Sequence, residues 1–225
     1  MRISTRPNLI SLPILAAAGL SLFVFACGGG SDSSPRDAVP SEPAHSHEDS
    51  DIPVVHVPTR WATGNASDLR TLVESSATVF VGRVAELKET RSEDPFGGAG
   101  PSNDRPSLPV SVFEVQVETS LAGEAAAGTT VVVEQVGGIM ANSDGGRTRF
   151  VLGGDEPLAV GERHLFFAAR KSNGSLAAAP FERFEVTEDG TLASASQWAE
   201  LGAVRELSGR RVEEARREIA DVDAP

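Results

Sequence analysis

The sequence predicts a mainly β domain: a small five-stranded β-barrel with a short helix ahead of it and a helical segment behind it. Three observations carry this. Residues 110–121 form the clearest strand, alternating from Phe113 onward, with Phe113, Val115, Val117, Thr119 and Leu121 on one face and Glu114, Gln116, Glu118 and Ser120 on the other. That period of two marks a half-buried strand of an antiparallel sheet. Four more β-rich runs surround it, separated by turn-forming residues, while helical spacing occurs only at the two ends. Five short strands without covering helices between them favour closure, because closure removes sheet edges.

The elements follow in order. Ser67 is placed to cap a helix through Ser76, in which Leu69, Leu72 and Val73 fall on one side. Residues 77–87 form the first strand and 110–121 the second. Residues 129–136 form the third, reached through the turn Gly123 to Gly128. The fourth, 163–169, is apolar on both faces, and the fifth, 181–187, ends at Glu188-Asp189-Gly190. From Ser196 to about Val222 the pattern is helical. Trp198, Leu201, Val204 and Leu207 make one stripe, Ser208-Gly209 interrupts it, and Val212, Ala215, Ile219 and Val222 continue it. The mixed charges around the second half read as a solvated face.

Ahead of the domain, Met1 to Asn8 carries Arg2 and Arg6 and no acid, and 9–26 is almost wholly apolar. A basic start, an apolar run and a small residue before a cut site are the marks of an export signal. The run ends Val24-Phe25-Ala26-Cys27, which resembles the lipobox of bacterial lipoproteins. The resemblance implies cleavage before Cys27, a lipid on its sulfur and an acylated new amine. Cys27 is the single cysteine, so the domain holds together without an intramolecular disulfide. Residues 28–58 are rich in Gly, Ser, Pro and acids, a composition that cannot offset its ordering entropy by burial. The chain thus divides into a signal peptide (1–26), a lipidated cysteine with a disordered tether (27–64), a β-barrel domain (65–192) and a C-terminal helical segment (193–225). Gly28 follows the cysteine with no acid, which points to the outer membrane in a host that has one. Elsewhere the resemblance implies only a lipid anchor in the cell envelope.

The formal net charge is −12, and loss of Arg2 and Arg6 takes the mature chain to about −14. Such a balance argues against nucleic acid as a partner and for solubility.

Within the domain, Ser76-Ala-Thr-Val-Phe-Val-Gly-Arg-Val, Phe113-Glu-Val-Gln-Val and Gly161-Glu-Arg-His-Leu-Phe-Phe167 resemble the OB-fold domains related to tissue inhibitors of metalloproteases and netrin modules. The resemblance covers about Asp68 to Leu192 and implies an OB-like barrel. Those inhibitors present a free cysteine amine to zinc with disulfides behind it. Here the only cysteine is expected to be acylated, so that activity does not carry over.

No catalytic constellation is read. There is no Gly-x-Ser-x-Gly elbow, no second cysteine and no tyrosine. His164, the only histidine of the domain, sits mid-strand and reads as a core or cross-strand residue. The double glycines at 137, 145 and 153 lack the Lys-Ser/Thr of a phosphate loop, and Gly153-Gly154-Asp155-Glu156 lacks the spaced ligands of a calcium loop. His45, His47, Glu48, Asp49, Asp51 and His56 could ligate a transition metal if their geometry were fixed, yet they lie in the tether. The expectation is a non-catalytic, envelope-anchored module without a cofactor that binds an envelope protein or small ligand. Metal capture by the tether, or an enzyme with an unrecognised site, are the alternatives. Two long connections, 89–109 and 137–162, are expected to meet on one rim, where they are either its functional surface or disordered insertions.

Overall fold

The computed structural model describes residues 52–93 and 107–223. Its strands are β1 (Val54–Val57), β2 (Thr78–Glu93), β3 (Leu108–Gly123), β4 (Thr130–Val136), β5 (Gly138–Ala141), β6 (Arg147–Leu152), β7 (Arg163–Arg170), β8 (Leu176–Ala177), β9 (Arg183–Val186) and β10 (Leu192–Ala193). The helices are α1 (Leu69–Ser75), α2 (Gly202–Leu207) and α3 (Val212–Asp223), and the protein is mainly β.

The five strands expected from periodicity are β2, β3, β4, β7 and β9, but the count of five is too low among the described residues. β8 and β10 have two residues each and β1 and β5 four, too short to establish a period. β6, with two arginines and a threonine, has no clean alternation. Two further expectations are corrected. Strand β1 lies inside the stretch 27–64 assigned to the tether, because Val54–Val57 pairs in parallel with Arg149–Leu152. And Asp68, not Ser67, caps α1: its carboxylate accepts the Thr71 N–H at 2.7 Å, while Ser67 ends the preceding 3-10 turn.

Seven strands form one sheet in the order β10-β9-β7-β2-β3-β4-β8, and β8 pairs with β7 as well. Hydrogen-bonded neighbours therefore run β7, β2, β3, β4, β8 and back to β7. The β4–β8 contact is parallel and confined to Val133–Leu176 and Glu134–Ala177. The β2–β3 ladder shifts register at four places, and these irregularities coil the long strands. Gly82 sits within the coil; a Cβ there would lie 2.6 Å from Val115 Cγ1. A second sheet, β1-β6-β5, occupies part of the long connection 137–162, so that connection is a hairpin and not an irregular loop.

The period of two divides the buried residues into two cores. Phe80, Val84, Phe113, Val115, Val117 and Phe166 pack together on the concave side. Val79, Val81, Leu165, Phe167 and Phe184 face the other way and meet α1, α2 and α3 through Leu72, Val204 and Ile219. β2 and β7 contribute to both cores, which is why β7 reads as apolar on both faces. The C-terminal helices belong to the same packed unit, with Gly209 (φ +82°) making the break between α2 and α3.

Candidate functional site

β4 is three valines followed by Glu134-Gln135. Val131 and Val133 pack on the inner core, so Val132 and Glu134 face outward. The Glu134 carboxylate is nonetheless 4 % exposed. Arg91 Nη2, at the far end of β2, donates to it at 2.8 Å, Asn173 Nδ2 donates at 3.0 Å, and Lys171 Nζ also donates. Burial pushes the Glu134 pKa up, but these donors outweigh it and hold it down to about 2. The turn that supplies two of them braces itself, since Asn173 Oδ1 accepts from Ser175 N and Oγ at 3.0 and 2.6 Å.

Beside this cluster runs a groove of about 670 Å³. One wall is β4 from Thr130 to Val132; the others are the segments 124–126 and 173–176. Arg170 and Glu124 pair across it at 2.8 Å, both well exposed. Such a pair contributes little and opens at small cost.

A second polar cluster closes the end of the concave core. Asp155 and Arg183 form a buried ion pair. Gln135 ties it in, donating to Asp155 Oδ2 at 3.2 Å and to the Glu156 carbonyl at 2.8 Å, while its Oε1 accepts the Leu158 N–H. Burial raises the Asp155 pKa, and Arg183 offsets part of that rise. Next to it His164 Nε2 meets Glu162 at 3.1 Å, and the imidazole packs at 5.6 Å from the Phe166 ring. For Glu162, burial raises the pKa, but the hydrogen bond from His164 and the Ala159 N–H bring it below the usual range. A cleft of about 300 Å³ borders these residues.

No family model and no curated protein matches the chain. The site must be read from its own residues.

Those residues sort the sequence expectations. Cys27, His45, His47, Glu48, Asp49 and Asp51 lie outside the described residues. His56 stands exposed on β1. His164 is a core residue with a cross-strand partner position opposite Glu185. Asp155 spends its carboxylate on Arg183 and Gln135 rather than on a loop site. Of the two long connections, residues 94–106 lie outside the described residues; Pro109 and Gly137 are adjacent, Gly137 N donating to Pro109 O at 2.7 Å and Ser111 Oγ to Gly137 O at 2.8 Å, while the groove is lined by the two shorter connections, at 124–126 and 173–176. Sequence reasoning missed Arg91, Glu134, Lys171 and Asn173. The available signal was a lone carboxylate inside a valine strand, which predicts a compensating cation without saying from where. No helix among the described residues is long and apolar enough to cross a membrane.

Proposed function

We propose that this chain is an exported lipoprotein, anchored through Cys27, whose domain is an OB-like barrel acting as a non-catalytic binding module. The barrel reading rests on the neighbour order: first strand to second and fourth, second to third, third to fifth in parallel, fifth to fourth, taking β2, β3, β4, β7 and β8 as the five, with β8 in the place expected of 181–187, which as β9 lies beyond β7. OB-folds bind ligands on the face of their second and third strands and with the loops after the first and fourth strands. The groove beside β4 stands there. Its walls include Val112 of β3, Thr130 to Val132 of β4, and the turn 173–175 between β7 and β8. That coincidence carries the binding reading. The non-catalytic part is supported by the carboxylates of both clusters, each of which is committed to a cation or a backbone donor. The export part is supported by the apolar run and the Val24–Cys27 box; the stable anchor would come from more than one acyl chain.

Two measurements test it. In detergent phase partitioning with a labelled fatty acid, wild type is expected in the detergent phase as a cleaved, labelled chain, and Cys27→Ser as uncut precursor that takes up no label; wild type in the aqueous phase would refute the anchor. In intact cells, a photoreactive residue at Val132 is expected to cross-link a defined partner, and one at Glu214 on α3 is not. Equal yields from both positions would refute the groove as the docking surface.

A further inference from the structure

We infer that the groove takes an extended peptide segment of a partner protein, which joins the free edge of β4 as an added strand. The inference rests on the groove being the docking surface and names the class of partner. β4 has β3 on one side along 130–135, but on the other side β8 reaches only Val133 and Glu134. Among the described residues, Thr130 to Val132 therefore form an open edge, and the groove runs beside it. The phase of the ladder fixes what that edge offers. Val117 N donates to Thr129 O at 2.8 Å, so the Thr129 carbonyl and the backbone groups of Val131 and Val133 turn toward β3. Thr130 and Val132 turn theirs toward the groove.

Folded proteins usually protect such an edge with a lysine, a proline, a bulge or a covering segment. Thr129 to Val133 has no lysine or proline, its register with β3 is uninterrupted, and Val132 is 41 % exposed. The edge is short and apolar at its centre, with a walled channel beside it. Strand addition uses these properties: main-chain hydrogen bonds give affinity and the channel reads alternate side chains.

The occupant follows from size and charge. Three residues give about 10 Å of edge, too little for a second copy to reach the buried area of a stable dimer, and two chains of net charge −12 repel. The groove's own charges pair internally, Arg170 with Glu124 and Arg91 with Glu134, so the channel demands no particular charge. The field of the whole chain draws basic partners. A neutral to basic extended peptide with β-branched residues fits both.

The probe is a capped heptapeptide of alternating valine and threonine with a lysine at each end, added to the full chain in detergent micelles. Without peptide, the Thr130 and Val132 amides are expected to exchange with deuterium quickly and Val131 and Val133 slowly. With peptide, protection at Thr130 and Val132 should rise at least tenfold, and an analogue with alternate amides N-methylated should leave it unchanged. Val132→Pro removes only an N–H that faces the groove, so it should weaken binding at least tenfold while keeping the urea midpoint. Thr130→Pro serves as a second variant should the first unfold. Thr130 and Val132 amides already protected without peptide would mean that another segment of this chain, or a second copy, fills the edge, and would overturn the inference. So would binding that survives both proline variants, or no protection by the peptide. If the peptide fails while Val132 still cross-links its partner, strand addition falls and the docking surface stands; if both fail, the docking surface falls as well.

Discussion

Replacing Glu134 by glutamine removes a buried charge but keeps the side chain's shape. The magnitude follows from the carboxyl's environment. Its pKa moves from 4.5 down to about 2, and each unit is worth about 1.4 kcal/mol of preference for the ionised form in the fold, so the full effect is about 3 kcal/mol. Arg91 and Lys171 are 30 % and 34 % exposed, and Arg91 keeps Glu89 and Glu93 as partners. Solvent screening and those remaining partners reduce the expected loss for Glu134→Gln to about 2 kcal/mol at pH 7. The sign with pH is determined. A carboxyl whose folded pKa lies below its unfolded value stabilises the fold above the unfolded value and loses that stabilisation as pH falls through the folded one. The gap between wild type and Glu134→Gln should therefore be full at pH 7, shrink from about pH 4.5 downward and be nearly gone near pH 2. Asp155 and Glu182 are raised by burial and titrate with the opposite sign, so the difference between the two proteins isolates Glu134 where the wild-type curve alone does not. Urea denaturation at pH 7, 5 and 3 measures it. A gap that is equal at pH 7 and pH 3, or no gap at pH 7, would refute the account of this cluster.

Arg183→Met should destabilise by about 3–5 kcal/mol, because Asp155 is then left buried without its cation, and adding Asp155→Leu should restore much of the loss in the same denaturation assay. Leu165→Ala should lose about 2–5 kcal/mol from the outer core, against about 0.5 kcal/mol or less for exposed Gln116→Ala; equal urea midpoints would contradict the assigned faces of β7 and β3. Gly202→Ala places a Cβ 1.7 Å from the Ser67 carbonyl oxygen, so α2 and the turn before α1 must separate. A melting temperature within 1 °C of wild type would show that this close approach is not required, since overpacking of this kind costs about 1–3 kcal/mol.

What was legible in the sequence is what depends on local period. β2, β3, β4, β7 and β9 appear in it because each keeps a recognisable alternation or an unbroken apolar run, and Ser208-Gly209 marks the break before α3. What was hidden depends on partners distant in the chain. β1 shows four exposed or half-exposed residues, Val-Val-His-Val, whose strand state comes from pairing with β6 almost a hundred residues later. β8 is a Leu-Ala pair in an alanine-rich run; nothing local distinguishes it from a loop, yet among the described strands it alone links β4 to β7. The groove inherits that difficulty. Its walls come from β4, the β7–β8 turn and the segment 124–126, and only the first of these carries a pattern of its own.

β7 belongs to both cores, and that has a consequence for how the chain assembles. Its native neighbour on one side, Thr78 to Arg83, lies some eighty residues earlier, so His164-Leu-Phe-Phe-Ala-Ala169 must wait for a long-range encounter before either face is shielded. Contacts of such separation form slowly. An uncharged six-residue run rich in phenylalanine is, while it waits, the segment most able to pair with another unfolded copy. Arg163 stands at one end and Arg170-Lys171 at the other. In the folded protein Arg163 and Arg170 contribute half-exposed ion pairs of modest value, while Lys171 neutralises buried Glu134; in the nascent chain all three flank the hazardous run with like charge and discourage stacking. Removing Arg163 and Arg170 should therefore raise aggregation during refolding more than it lowers equilibrium stability.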